Sequence, residues 1–255
     1  MGRIGNLFER KKDSILSIYF TAGFPELTST LPIMKALQKF GADMIELGIP
    51  YSDPLADGPV IQASGSKAIA NGMTIPKLLD QLRGFRTEIG LPTLMMGYLN
   101  PIIQFGFEKF CKAISGLGID GLIIPDLPLH EFEEYFETLI KKFELDFVFL
   151  VTPETPDNRL LKLDGLSSGF LYAVSSSSIT GRDKNFDSVE NYVKRLKELK
   201  LRNPIMVGFG VKDRETFSSA AKYANGAIVG TAFVNQLGKS DNVEEATRVF
   251  MQNIR

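Results

Sequence analysis

The chain of 255 residues contains no tryptophan, one cysteine and one histidine. A single cysteine, Cys111, excludes a disulfide within the chain and is typical of a reducing compartment. A single histidine, His130, excludes a metal site made of several histidines, and we expect no metal. Because 29 basic residues face 30 acidic ones, the net charge of -1 argues against nucleic acid as a general partner.

Long apolar runs are also missing. No stretch approaches the roughly 18 apolar residues of a membrane-spanning helix, so we expect no membrane partner. The apolar run at 15–20 follows a basic segment, but it is short and lacks a cleavage site of small residues. It therefore predicts a first strand and not a signal peptide, and we expect a cytoplasmic protein.

Short apolar runs, bounded by turn residues, alternate with helical patterns along the whole chain. The runs are continuously apolar, which is typical of parallel strands that are covered on both faces. The predicted strands are 15–20, 43–47, 93–96, 120–124, 146–151, 169–174, 204–208 and 226–230. The predicted helices are 28–40, 74–89, 107–115, 129–142, 157–164, 187–200, 212–223 and 242–253.

This alternation predicts an α/β fold. About eight strand–helix units in about 250 residues match a (β/α)8 TIM barrel, whereas the alternative, a doubly wound open sheet, usually has fewer strands. We predict one TIM-barrel catalytic domain over 1–255 with extra short helices. In such a barrel the functional residues follow the strands at their carboxyl ends.

The segment 46–62 carries the densest chemical signal. Glu46 ends the second predicted strand, and Asp53 and Asp57 follow it in a stretch that contains five glycines and prolines. Those residues predict a loop without regular helix or strand. Carboxylates that leave a buried strand can build a proton-transfer site, although most acids in loops are simply exposed.

Glycines follow the sixth, seventh and eighth predicted strands, where barrels commonly bind phosphate through backbone N–H groups. They are Gly181, Gly210 and Gly230. Each alone is consistent with an ordinary turn, and the three together favour a phosphate site. No lysine stands at a predicted strand end, which argues against an aldolase that forms a Schiff base.

The string from Glu46 to Gln62 resembles the signature of the tryptophan synthase alpha subunit. The similarity extends over essentially the whole chain through the segments 19–25, 121–128, 170–175, 207–210 and 226–231. Members of that family are TIM barrels that cleave indole-3-glycerol phosphate to indole and glyceraldehyde 3-phosphate. The resemblance implies the same activity, an alpha2-beta2 complex with a beta subunit that carries pyridoxal phosphate, and no cofactor in this chain.

The resemblance also implies roles for individual residues. It makes Glu46 the general acid–base and Asp57 the second catalytic carboxylate. The implied substrate-binding residues are Tyr19, Ile61, Tyr98, Tyr172 and Thr180, of which Thr180 would close onto Asp57. Gly181, Gly210, Gly230 and Thr231 would bind the phosphate. Asp53, Pro54 and Asn100 would face the beta subunit.

Two other functions stay open from the residues. A sugar-phosphate isomerase or epimerase would share the barrel and the phosphate site but would not bind indole. A non-catalytic barrel that only activates a beta-type partner would need the contact surface but not Glu46.

Overall fold

The computed structural model describes residues 2–174, 186–208 and 210–255. Within them the strands form one sheet in which every pairing is parallel. The strands are β1 (Ile15–Thr21), β2 (Met44–Gly48), β3 (Thr93–Met96), β4 (Gly121–Ile123), β5 (Asp146–Phe147), β6 (Leu150–Val151), β7 (Leu171–Ala173), β8 (Ile205–Val207) and β9 (Gly226–Val229).

The sheet closes on itself. Its order is β5-β4-β3-β2-β1-β9-β8-β7-β6, so β5 and β6 stand at opposite ends. These two strands are parts of one stretch, 146–151, separated only by Val148 and Phe149. The first part pairs with β4 and the second with β7, which gives eight strand positions around a ring. The TIM barrel predicted from the sequence is confirmed.

The predicted strand at 146–151 is divided because it changes partner in the middle. Ser168 Oγ accepts a hydrogen bond from Phe147 N at 2.9 Å, and Ser167 Oγ accepts one from Phe149 N at 3.3 Å. Side-chain hydroxyls thus replace strand partners for these N–H groups, and the regular ladder is interrupted.

Helices separate the strands along the chain. They are α1 (Arg3–Arg10), α2 (Thr30–Lys39), α3 (Pro59–Ala70), α4 (Ile75–Gln81), α5 (Leu99–Phe105), α6 (Phe107–Leu117), α7 (Leu129–Glu131), α8 (Glu137–Lys142), α9 (Asp157–Leu166), α10 (Phe186–Glu198), α11 (Arg214–Tyr223), α12 (Thr231–Leu237) and α13 (Val243–Ile254). A 3-10 turn at Phe85–Thr87 and a π-helical turn at Phe132–Phe136 complete them. None of the helices in the described ranges is long and apolar enough to cross a membrane.

The expectation of an irregular segment through 46–62 is wrong at its end, where α3 begins at Pro59. Proline suits the first turn of a helix because its fixed φ is already helical and its missing N–H would have had no partner there. The helices α1, α5 and α12 were not among the individually predicted elements, and they are short, as the expected additional helices are.

Two apolar layers explain why the strands read as continuous apolar runs. Ile15, Met44 and Ile228 belong to a cluster that fills the barrel interior. Residues that alternate with them, such as Leu16 and Ile45, belong to a second cluster, which packs against the helices. Cys111, in α6, is fully buried in this outer layer. Both faces of the sheet are therefore covered.

Two aspartates stabilise the amino ends of the strands through hydrogen bonds and ion pairs. Asp43 Oδ2 accepts hydrogen bonds from Lys11 Nζ at 2.7 Å and from Leu16 N at 2.8 Å. Asp120 Oδ2 accepts from Thr93 N at 2.7 Å and pairs with the Arg86 guanidinium. These contacts hold the barrel end that lies opposite the site, where a role in stability is expected.

Candidate active site

Glu46 lies inside the barrel near the carboxyl end of β2 and has no exposed surface. Its Oε1 accepts a hydrogen bond of 2.7 Å from Ser17 Oγ on β1. Its Oε2 is buried and has no hydrogen-bond partner within the described residues. Burial raises the pKa of Glu46 to about 8, although the Ser17 hydrogen bond acts in the opposite direction. This carboxyl is therefore largely protonated at neutral pH.

Asp57 lies in the loop between β2 and α3 and is half-buried. Burial raises its pKa to about 6, while a hydrogen bond with the Tyr98 hydroxyl lowers it. Tyr98 follows β3 and also fixes the loop backbone, because its hydroxyl accepts a hydrogen bond of 3.0 Å from Ala56 N. Asp57 is therefore largely ionised at neutral pH, in contrast to Glu46.

Two tyrosine rings lie over glycines inside the barrel. A β-carbon built on Gly48 would come 2.3 Å from the Tyr19 hydroxyl oxygen. A β-carbon on Gly208 would come 1.8 Å from Cε2 of Tyr172. Neither distance is possible between real atoms, so these positions accept glycine alone while the rings stay in place.

The two buried tyrosines lie close enough to the carboxyls to be affected by their charge, and Tyr19 pairs with Glu46 in the register of the sheet. Burial and then the charge of Asp57 raise the pKa of Tyr19, which also feels Glu46. Burial and then the charge of Glu46 raise the pKa of Tyr172 well above its usual value. The structure therefore brings together Glu46, Asp57, Tyr19, Tyr98 and Tyr172, five of the residues that the sequence nominated.

The nominated phosphate residues are only partly described. Gly230 precedes α12, and a β-carbon on it would come 3.2 Å from Cδ1 of Tyr19, so this helix start adjoins the site. Thr231 is the exposed first residue of α12. Gly210 has a φ of +66°, which glycine adopts without strain. Thr180 and Gly181 lie outside the described residues.

The nominated partner residues lie on the outer side of the same loops. Asp53 is exposed and Pro54 is partly exposed, and the adjacent Leu55 is 89% exposed. Asn100, at the start of α5, donates a hydrogen bond of 3.1 Å to the Tyr51 hydroxyl. The ring centroid of Tyr51 lies 5.2 Å from that of Tyr98.

Ile61 is the nominated residue with the least direct connection to the carboxyls. It lies in the first turn of α3, is half-buried and packs against the outer apolar layer. Its place in the substrate pocket stays a prediction.

Three residues support the site although the sequence did not nominate them for that role: Ser17, Gly48 and Gly208. Ser17 had a signal, since it is a polar residue within a buried apolar run, two positions before Tyr19 and on the same strand face. The two glycines had none, because their role depends on which ring lies across from them. No group of three or more His, Cys, Asp or Glu that could hold a metal occurs in ranges 2–174, 186–208 and 210–255.

The fold and the site together define a class, the TIM-barrel proteins whose acid–base groups stand at the carboxyl ends of the strands. Comparison with known proteins narrows this class. The family model described as Tryptophan synthase alpha chain matches residues 6–255. The chain belongs to the tryptophan synthase alpha chain family, as the resemblance of the segment 46–62 predicted, and so to the enzymes of tryptophan synthesis.

The sequences and structures of individual relatives align with this chain over nearly its full length. The tryptophan synthase alpha chain of Flavobacterium johnsoniae is 49% identical over 241 residues, which cover 94% of this chain and 95% of the relative. That of Phocaeicola vulgatus is 46% identical, with 96% and 95% covered. The solved alpha subunit from Legionella pneumophila superposes with a TM-score of 0.90 at 34% identity, covering 98% of this chain and 96% of that chain. A chain of tryptophan synthase from M. tuberculosis, in its aminoacrylate-bound form, gives 0.87 at 30% identity, with both chains covered fully.

Proposed function

We propose that this chain is a carbon–carbon lyase that cleaves indole-3-glycerol phosphate to indole and glyceraldehyde 3-phosphate. Family membership supports this reaction over a sugar-phosphate isomerase or epimerase. The two carboxyls support it over a non-catalytic barrel, since an inactive barrel would have no use for a buried carboxyl with one oxygen that has no hydrogen-bond partner among the described residues.

The observation that carries the proposal is the different burial of the two carboxyls: Glu46 is fully buried in the barrel, whereas Asp57 is half-buried in the loop before α3. Glu46, with a pKa near 8, is protonated at neutral pH and can give a proton to C3 of the indole ring. Asp57, with a pKa near 6, is ionised and can accept a hydrogen bond from the indole N–H. Two carboxyls in different environments thus take opposite roles in one site.

The chemistry then follows without a cofactor in this chain. A proton from Glu46 forms a bond to C3 and leaves a positive charge on the ring, which the Asp57 anion stabilises. The hydroxyl next to the breaking bond loses its proton to the Glu46 carboxylate and becomes the aldehyde. The electron pair of the broken carbon–carbon bond returns to the ring, so indole is restored.

Tyr19 and Tyr172 are suited to flank an apolar ring, and their own ionisation is suppressed by burial. The phosphate would be held by backbone N–H groups at the start of α12, next to Gly230 and Thr231, together with Gly181 and Gly210. Thr180 would close onto Asp57. With these assignments, the indole ring and the phosphate of the substrate would contact different strands of one barrel domain.

The chain would act together with a beta subunit that carries pyridoxal phosphate and joins indole to serine. A surface with Asp53, Pro54 and Asn100 would face that subunit in an alpha2-beta2 complex. The exposed side chain of Leu55 supports this surface, because a large apolar side chain gains free energy when a partner covers it. The hydrogen bond from Asn100 to Tyr51 joins it to the ring that packs on Tyr98.

The deciding experiment measures indole released from indole-3-glycerol phosphate by the purified chain, with and without added beta subunit. Release by the chain alone, increased by the beta subunit, is the expected result. Turnover of sugar phosphates without indole release would favour the isomerase. No release from the chain, combined with activation of the beta subunit, would favour the non-catalytic barrel.

A further inference from the structure

Ser17 is a fully buried serine in a part of β1 that is otherwise apolar or aromatic. Side chains alternate along a strand, so Ser17 and Tyr19 project from the same face, toward the barrel interior. In the register of the sheet, Tyr19 pairs with Glu46. The Ser17 hydroxyl lies 2.7 Å from Glu46 Oε1, and it makes no other hydrogen bond among the described residues.

The two oxygens of Glu46 therefore have different surroundings. Oε1 accepts the hydrogen bond from Ser17, whereas Oε2 is buried with no partner in the described part of the chain. A protonated carboxyl carries its proton on one oxygen, and the other oxygen remains an acceptor. Because Oε1 is already held as the acceptor, the favoured place for the proton is Oε2.

We propose that Ser17 is a positioning residue that holds Glu46 Oε1 as an acceptor and thereby keeps the transferable proton on Oε2. This rests on the proposed cleavage, in which Glu46 delivers that proton to the indole ring. Ser17 touches neither substrate nor reacting atoms and acts only through Glu46. Without its hydroxyl the carboxyl could rotate, and either oxygen could carry the proton.

The arrangement has two measurable consequences. Loss of the hydroxyl lowers the rate of proton transfer but leaves substrate binding intact, so kcat falls and KM stays the same. Loss of the hydroxyl also removes a hydrogen bond that favours the ionised form of Glu46, so its pKa rises further above about 8. A merely structural serine would produce neither the kcat-only effect nor the change in titration.

The test titrates Glu46 in the full chain without substrate. The infrared C=O band of the protonated carboxyl is followed with pH and is assigned by its disappearance in Glu46→Gln. Ser17→Ala removes the hydroxyl with little change in volume, and Ser17→Thr retains it. Thr247→Val is the matched control, because it deletes another fully buried hydroxyl, one that bonds to the Val243 carbonyl in α13.

The expected result is a titration midpoint raised by roughly one pH unit in Ser17→Ala, and unchanged in Ser17→Thr and Thr247→Val. In the cleavage assay we expect kcat of Ser17→Ala to fall about tenfold at unchanged KM. A midpoint of Ser17→Ala equal to that of the wild type would overturn the proposal. So would a rise of equal size in Thr247→Val.

The infrared titration needs no turnover, so failure of the proposed cleavage is recognised separately. If the wild type releases no indole, the cleavage assignment is wrong, whereas the titration still decides whether Ser17 holds Glu46. If the wild type is active and Ser17→Ala retains full kcat, Ser17 does not position the proton, whatever the midpoint.

Discussion

Tyr172 occupies the space that a side chain at position 208 would need, since a β-carbon on Gly208 would lie 1.8 Å from Tyr172 Cε2. Tyr172 lies in β7, and Gly208 directly follows the carboxyl end of the neighbouring strand β8. Because residue 208 is a glycine, the Tyr172 ring can occupy this space, and there it forms one wall of the site.

The first prediction follows from this contact. Gly208→Ala displaces the Tyr172 ring, so we expect a loss of stability of about 1–3 kcal/mol together with a large loss of indole release. The cost in stability is expected to shrink when Tyr172→Ala is present as well, because the clash is then gone. Urea unfolding of the two single variants and the double variant measures this coupling. If the losses of stability in the two single variants simply add up in the double variant, a side chain at position 208 does not contact the Tyr172 ring.

Glu46→Gln is expected to keep the fold while indole release falls by on the order of 10² or more, because the amide cannot transfer a proton. The amide has nearly the shape of the carboxyl, and its oxygen can still accept the Ser17 hydrogen bond. Circular dichroism and phosphate binding serve as controls for folding. Near-normal turnover in this variant would contradict the assignment.

The rate of cleavage is expected to depend on pH with two limbs. Asp57 must be ionised, so kcat/KM rises as pH increases through about 6. Glu46 must be protonated, so kcat/KM falls as pH increases through about 8. A pH series with the wild type gives both limbs. A rate that continues to rise well above the pKa of Glu46 would show that this group acts only as a base.

Glu46 also makes stability depend on pH. Its pKa in the folded protein, about 8, lies above the ordinary value of 4.5, so the folded protein retains this proton over a range in which the unfolded chain releases it. The contribution is complete below about pH 4.5 and is lost as pH rises through 8. The free energy of unfolding of the wild type minus that of Glu46→Gln is thus expected to fall by a few kcal/mol across this window. Urea unfolding at several pH values tests it, and a constant difference would contradict it.

The Tyr98 hydroxyl supports Asp57 and the Ala56 backbone together. Tyr98→Phe is expected to lower kcat about tenfold and to move the acidic limb to higher pH, because the bond that favours the Asp57 anion is lost. Tyr51→Phe is the matched control, since it deletes the hydroxyl of the neighbouring ring. An acidic limb that stays in place in Tyr98→Phe would show that the bond does not tune Asp57.

Much of the barrel could be predicted because its strands are covered on both faces, so runs such as 15–20 and 226–230 read directly as buried strands. The start of α3 could not, because Pro59 follows Gly58 and the pair resembles a loop until the next turn forms. The divided strand at 146–151 depends on hydroxyls from 167 and 168, which only the fold brings near.

The candidate site likewise contains residues that the sequence could indicate and residues that only the fold reveals. Glu46 and Asp57 stand in a segment whose composition and resemblance nominate them. Ser17 and Gly208 matter only through the residue that lies across from each, on a neighbouring strand. Sequence patterns report which face a residue belongs to, but contacts between strands depend on the register of the sheet.

The division of the stretch 146–151 also has a consequence for how the barrel opens. β5 and β6 have two residues each, fewer than any other strand in the described ranges, and serine hydroxyls supply part of the bonding there. This seam has two paired residues on each side, as few as any strand pairing in the described ranges, so transient opening is expected to begin there and to expose its amides to hydrogen exchange earlier than those of β1 and β2. The barrel would then open first at the stretch 146–151, which lies across the ring from the strands that carry Ser17 and Glu46.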